Sequence, residues 1–285
     1  MRKRNCTVKS RMTVVVMPIL LFLAVMTFPV LVATSAVQQE TPYDQEITAD
    51  HQTVSAAGGT ICWGLKRGSN GSVPEIPGSY KLLLERYGAK YVGDTTKRVI
   101  YLTFDEGYEN GYTAQILDTL RNCGVKAVFF ITGDYFDQNP ELIRRMIEEG
   151  HTVGNHTMNH PSLPTLSIQA AEEEILSLDR RMQDKFGYEM FFLRPPKGEF
   201  SEKTLAVAAN LGYRCLMWSF AYKDWVVSDQ KGVDYAVSTV TSNLHCGAVI
   251  LLHAVSSDNA NGLGEIIKQC RAMGYEFGNP EELAQ

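Results

Sequence analysis

The chain lacks any Cys-x-x-Cys pair, although it carries six cysteines: Cys6, Cys62, Cys123, Cys215, Cys246 and Cys270. A zinc-thiolate centre is therefore not expected; small, mostly buried side chains with at most a single bridge are. With Cys6 set aside in the leader, the remaining five cannot all pair within one chain. Repeats of fixed period are missing too, so a solenoid is not expected. An excess of basic residues is also absent: 27 Lys and Arg face 32 Asp and Glu, a formal net charge of −5. A nucleic-acid partner, which needs a basic face, is not expected on that balance. With 45% hydrophobic and 21% charged residues, the composition is neither disordered nor fibrous. The 285 residues suffice for one large core or two small ones.

The amino-terminal segment differs from the rest. Arg2, Lys3, Arg4, Lys9 and Arg11 precede an apolar run from Met12 to Val32, which ends in Ala33-Thr34-Ser35-Ala36. Charge, apolar core and small residues in that order are those of a secretory signal. The run of about 20 residues would also span a bilayer, so an uncleaved membrane anchor is the alternative. Either way the bulk of the chain is expected outside the cytoplasm. Without the five leader cations the balance is 22 against 32, about −10.

Residues 1–36 are thus read as signal peptide or anchor, and 37–59, polar and without apolar periodicity, as a flexible linker. Residues 60–97, punctuated by Gly and Pro and holding one helical piece from Tyr80 to Tyr87, are read as an extension packed on the domain spanning 98–285. Beyond them, short apolar runs alternate with amphipathic segments. Strands are expected at Arg98–Phe104, Lys126–Thr132, Thr152–Gly154, Phe191–Leu193, Tyr213–Trp218, Ala248–Leu252 and Tyr275–Phe277. Helices are expected at Tyr112–Asn122, Pro140–Glu149, Ser167–Phe186, Ser201–Asn210, Val233–Leu244 and Ala260–Met273. About seven strand-helix units with buried strands argue for a parallel α/β arrangement, a barrel.

Asp105, His156, Arg194 and His253 fall at or just after the carboxyl ends of these strands, the face at which catalytic groups of parallel α/β barrels gather. Each has a plainer reading alone. Asp105-Glu106 would pass for a solvated turn, Arg194-Pro195-Pro196 for a rigid loop, Asp224-Trp225 for aromatic packing and His253 for a core histidine. His156 and His160, four apart, would share one face of a helical turn and could grip a divalent metal, with a carboxylate as the third ligand. His51 lies in the linker and His151 near a turn, and neither is placed in the site.

In order and spacing, Thr103-Phe104-Asp105-Glu106, His156-x-x-x-His160, Arg194-Pro195-Pro196-x-Gly198, Asp224-Trp225 and Leu251-Leu252-His253 resemble the five motifs of the NodB-homology polysaccharide deacetylases. Tyr108-Glu109-Asn110-Gly111-Tyr112-Thr113, Gly198-Glu199-Phe200-Ser201-Glu202, His253-Ala254-Val255-Ser256 and Trp63-Gly64 are similar to the subgroup that de-N-acetylates muramic acid for δ-lactam formation in spore cortex.

The resemblance implies a distorted (β/α) barrel of about seven parallel strands and hydrolysis of an acetamide on a glycan. It implies Asp105 as general base with Arg194 keeping it ionised, and His253 as general acid supported by Asp224. The Lys197 backbone amide would meet the oxyanion, and a divalent ion, expected to be zinc, would sit on His156, His160 and Glu106. In the wider family an Asp fills the place of Glu106, and a Tyr is typical where Lys197 stands. Lys197, Trp225 and Tyr108 are expected to contact substrate, Lys197 through an anionic sugar substituent. The implied partners are a peptidoglycan strand and, acting earlier, an N-acetylmuramoyl-L-alanine amidase; the chain is expected to be a monomer. Competing expectations are a chitin or xylan deacetylase and a non-catalytic glycan-binding barrel.

Overall fold

The structure, a computed structural model, describes residues 59–285. The expected leader, with its cleavage or anchoring, and the linker with His51 up to residue 58 lie outside the described residues.

The apolar runs become strands. In chain order these are β1 (Ile61–Cys62), β2 (Val99–Glu106), β3 (Ala127–Ile131), β4 (Thr152–Asn155), β5 (Phe192–Leu193), β6 (Glu199–Phe200), β7 (Arg214–Cys215), β8 (Phe220–Ala221), β9 (Val249–His253) and β10 (Glu276–Phe277). Seven of them form one parallel sheet in the order β7-β5-β4-β3-β2-β9-β8, and β10 pairs with the first two residues of β2. The α-helices are Gly78–Arg86, Thr113–Cys123, Gly133–Gln138, Pro140–Glu148, Ile168–Phe186, Glu202–Asn210, Val233–Thr241 and Ser257–Ala272.

Successive side chains on a strand face opposite sides, and β2 shows what that does here. Ile100, Leu102 and Phe104 join the large core shared with the helices, whereas Tyr101 joins a smaller cluster with Val128, Phe130, Phe192, Leu216 and Val249. That second cluster is the inner face of a curled half-barrel, and Thr103 and Asp105 continue it toward the carboxyl ends. Among the described residues β7 and β8 do not pair, so the barrel is not closed. Single bridges from the extension stand in the gap: Lys90 pairs with Leu216, and Val92 with Ala248. The extension is also held by β1, which pairs antiparallel with β6, and by Trp63, whose ring lies 6.2 Å from Phe200 and 6.5 Å from Trp218.

Helix starts are set by side chains that accept the third backbone N–H ahead. Ser167, Ser201 and Ser256 cap three helices in this way, through Ala170, Thr204 and Asn259. The last helix therefore begins at Ser257, three residues before the expected start. The expected strand Tyr213–Trp218 is shorter, Arg214–Cys215, and β8 and the helix Gly133–Gln138 were not anticipated. Gly154 on β4 is small for a packing reason, since a Cβ there would come within 2.6 Å of the Phe130 ring. No disulfide forms among the described residues. None of the described helices is long and apolar enough to cross a membrane.

Candidate active site

Asp105 lies near the end of β2, in register with Phe130 on one side and His253 on the other. Its partner Arg194, directly after β5, is fully buried. A buried guanidinium is tolerable only when its donors are satisfied. Nε donates to Leu216 O at 2.9 Å, Nη2 to Met217 O at 3.3 Å, and Nη1 both to Thr103 Oγ1 and to Asp105 Oδ1 at 2.8 Å. The guanidinium also lies 4.1 Å from the centre of the Phe130 ring. Burial alone would raise the Asp105 pKa, but the charges of Arg194, His156 and His253 and the Arg194 hydrogen bond outweigh it. They hold the carboxyl below its ordinary value, and Asp105 is ionised.

His253 ends β9 under the opposite bias. Its Nδ1 donates to Asp224 Oδ1 at 2.7 Å, and its backbone N–H donates to Asp224 Oδ2 at 2.8 Å. Asn259 Nδ2 fixes the carboxylate further, donating to Oδ2 at 2.6 Å, and its own Oδ1 accepts from the Tyr222 hydroxyl at 2.5 Å. Burial works against a charged imidazole here, yet the hydrogen bond and charge of Asp224, with a pull from Asp105, raise the His253 pKa above its ordinary value. Neighbouring strands thus present an ionised carboxylate and a proton-holding imidazole.

His156 and His160 do come together, their ring centres 4.8 Å apart, but not on the expected helical turn. The stretch is a loop in which Thr157 (φ 70) and His160 (φ 56) take left-handed conformations. His156 Nδ1 donates to the Arg194 carbonyl at 2.8 Å, leaving Nε2 facing Asp105 Oδ2 at 3.5 Å. Burial lowers the pKa of both imidazoles, that of His160 to about 4.

Glu106 does not join them. Its side chain continues the face of Phe104 into the core, where Oε2 accepts from Thr113 Oγ1 at 3.5 Å and Oε1 meets no hydrogen-bond partner. Burial, then Glu109 and Asp105, push its pKa well above the ordinary carboxylate value. Among the described residues, no group of three or more His, Cys, Asp or Glu side chains is placed to hold a metal ion. The expected His156-His160-Glu106 centre therefore does not fit this arrangement.

Asp105, His156, His160 and His253 open on a cleft of about 740 Å³, which Lys197, Tyr108 and Trp225 also line. Tyr108 and Trp225 are about half exposed, and the Trp225 ring lies 5.3 Å from that of His253. Lys197, at φ 61, and Gly198, at φ 67, form a tight corner; a Cβ on Gly198 would meet the Trp218 ring at 2.8 Å. A larger cavity, about 880 Å³, lies between the extension and the carboxyl terminus, but it holds no histidine. Its charges pair internally, Lys97 with Asp94 and Lys81 with Glu85. Thr103, Tyr222 and Asn259 were not singled out from the sequence. The one local hint was Ser256-x-x-Asn259, a helix start directly after His253.

A family model described as polysaccharide deacetylase matches residues 92–216. The peptidoglycan-N-acetylmuramic acid deacetylase PdaA of Bacillus subtilis is 41% identical over 224 residues, 78% of this chain and 85% of that protein. A peptidoglycan-N-acetylglucosamine deacetylase of Bacillus cereus is 33% identical over 192 residues, 66% of this chain and 88% of its own length. The solved structure of Bacillus subtilis PdaA, described as a family 4 carbohydrate esterase, superposes with a TM-score of 0.77, covering 79% of this chain and 97% of that one.

Proposed function

Since the chain belongs to the polysaccharide deacetylase family, we propose that it hydrolyses the N-acetyl group of peptidoglycan N-acetylmuramic acid outside the cytoplasm. The observation that carries this reading is the register of Asp105 with His253, two groups of opposite protonation bias facing one cleft.

In the proposed reaction Asp105 takes a proton from water as the water oxygen bonds to the acetyl carbon. The carbonyl oxygen becomes an oxyanion, for which the Lys197 backbone amide is the candidate donor. As the carbon–nitrogen bond breaks, His253 gives its proton to the leaving nitrogen, which would otherwise be too basic to depart. The products are acetate and an amino sugar. Arg194 keeps Asp105 ionised and aimed, and Asp224 does the same for protonated His253. The described side chains do not assemble the expected three-ligand metal centre, and the roles above belong to the chain's own residues.

Tyr108 and Trp225 offer exposed aromatic faces for sugar rings, and Lys197 offers a cation for a lactyl carboxylate. In the same reading an N-acetylmuramoyl-L-alanine amidase acts first and frees that carboxylate. The new amine can then close on it as a δ-lactam, the modification of spore cortex. Likeness to the muramic acid deacetylase supports the choice of sugar.

Acetate release from peptide-free peptidoglycan tests the reading. Asp105→Asn and His253→Ala should each lower the rate by about 100 to 10,000-fold with unchanged circular dichroism. Either variant retaining more than about a tenth of wild-type activity would remove that residue from the mechanism.

A further inference from the structure

The charge around the cleft is unlike the charge of the chain. Acidic residues outnumber basic ones by 32 to 27 overall, yet Arg67, Lys197 and Lys223 line the cleft with a single carboxylate, Asp105, already bound to Arg194. A cluster of cations in a concave site raises the local concentration of an anion.

Arg67 is the best defined of the three. It comes from the extension, in a loop whose base is tied by Lys66 and Glu75 exchanging backbone hydrogen bonds of 2.8 and 3.0 Å. Nη2 donates to Ala221 O at 3.2 Å, and the guanidinium stands 5.5 Å from the centre of the Phe220 ring. Both contacts lie on β8, two or three residues before Lys223. Among the described residues no carboxylate comes within ion-pairing distance of Arg67, and no acceptor meets its Nε or Nη1. One of the five N–H groups is used on Ala221 O, and the second Nη2 N–H, with its neighbour on Nε or Nη1, remains a fork ready for a planar anion. Lys223, lining the same cleft, is paired with Asp229 at 3.6 Å, both groups well exposed.

We propose that Arg67, assisted by Lys223, binds a carboxylate on the glycan outside the scissile acetamide and so makes the extension a specificity element of the site. This rests on the reading of the cleft as a peptidoglycan deacetylase site. The carboxylate is a lactyl group, either of the attacked sugar or of a neighbouring muramic acid along the strand.

The test compares wild type, Arg67→Gln, Arg67→Lys and Lys223→Gln on a peptide-free disaccharide and tetrasaccharide of peptidoglycan, each also with its lactyl carboxylates converted to methylamides. Arg67→Gln should raise KM for the carboxylated glycan about tenfold, with kcat little changed, and should narrow the preference over the methylamide by the same factor. Arg67→Lys should recover part of the loss, and Lys223→Gln should show a smaller one. An effect on the disaccharide assigns the carboxylate to the attacked sugar; an effect confined to the tetrasaccharide assigns it to the neighbour. Equal preference for carboxylated over methylamide glycan in wild type and Arg67→Gln, on both lengths, would overturn the proposal. If wild type releases no acetate from any glycan, the deacetylase reading fails by itself. Calorimetry then still decides the role of Arg67, which requires the preference for carboxylated over methylamide tetrasaccharide to be clearly smaller in Arg67→Gln than in wild type.

Discussion

Replacing Asp224 by Asn keeps the shape of the side chain and removes its charge, which separates the electrostatic support of His253 from its packing. Asp224 receives the His253 Nδ1–H at 2.7 Å and its backbone N–H at 2.8 Å. Burial pulls the His253 pKa down, and the Asp224 hydrogen bond and charge are the leading influences that pull it back up. A hydrogen bond to a charged group is worth about 1.5 to 3 kcal/mol, which corresponds to about one to two pH units. In Asp224→Asn the imidazole should therefore titrate below its ordinary value. His253 acts as an acid, so its deprotonation sets the alkaline limb of kcat/KM, and that limb should move about one to two units toward lower pH. A pH series of acetate release, paired with NMR titration of the His253 ring, measures both quantities. Folding follows the same sign. The raised folded pKa contributes stability fully present below the unfolded value and lost as pH rises through the folded one, and the variant should lack that slope. An alkaline limb that stays in place while the ring pKa falls would refute the assignment of His253 as the acid.

Glu106→Gln should leave zinc affinity unchanged by calorimetry, whereas a loss of about tenfold or more would show that the carboxylate reaches a bound ion. Because the Glu106 pKa is raised in the folded state, its ionisation lowers stability as pH rises from the ordinary carboxylate value toward the folded one. The Gln variant should flatten that dependence in thermal melts taken across the acidic range. Arg194→Met should cost about 3 to 5 kcal/mol in urea unfolding, since it strands Asp105 without its ion partner in a buried site; a cost below about 1 kcal/mol would mean that the ion pair is incidental.

Asp105, Arg194 and His253 were legible because apolar runs mark strands and chemistry in parallel α/β folds collects where the strands end. Glu106 was misplaced although the same rule bears on it. Alternation along β2 sends consecutive residues to opposite faces, so Asp105 in the cleft puts Glu106 with Phe104 in the core. The helical turn at His156 to His160 failed because spacing carries no information on the sign of φ, and Thr157 and His160 are both left-handed. Thr103 and Asn259 escaped notice because their roles arise from partners 91 and 35 residues away. Six of the seven parallel strands were read from hydrophobic pattern, whereas β8, two residues long, is too short a run to show one, and no periodicity announces the bridges that Lys90 and Val92 make.

The most direct test of the central claim is mass spectrometry of peptide-free peptidoglycan digested after incubation with the wild-type chain and with Asp105→Asn. The account predicts loss of the acetyl group from muramic acid residues with wild type, with glucosamine residues left acetylated, and no loss with the variant. Acetyl loss confined to glucosamine, or equal loss with both proteins, would contradict it.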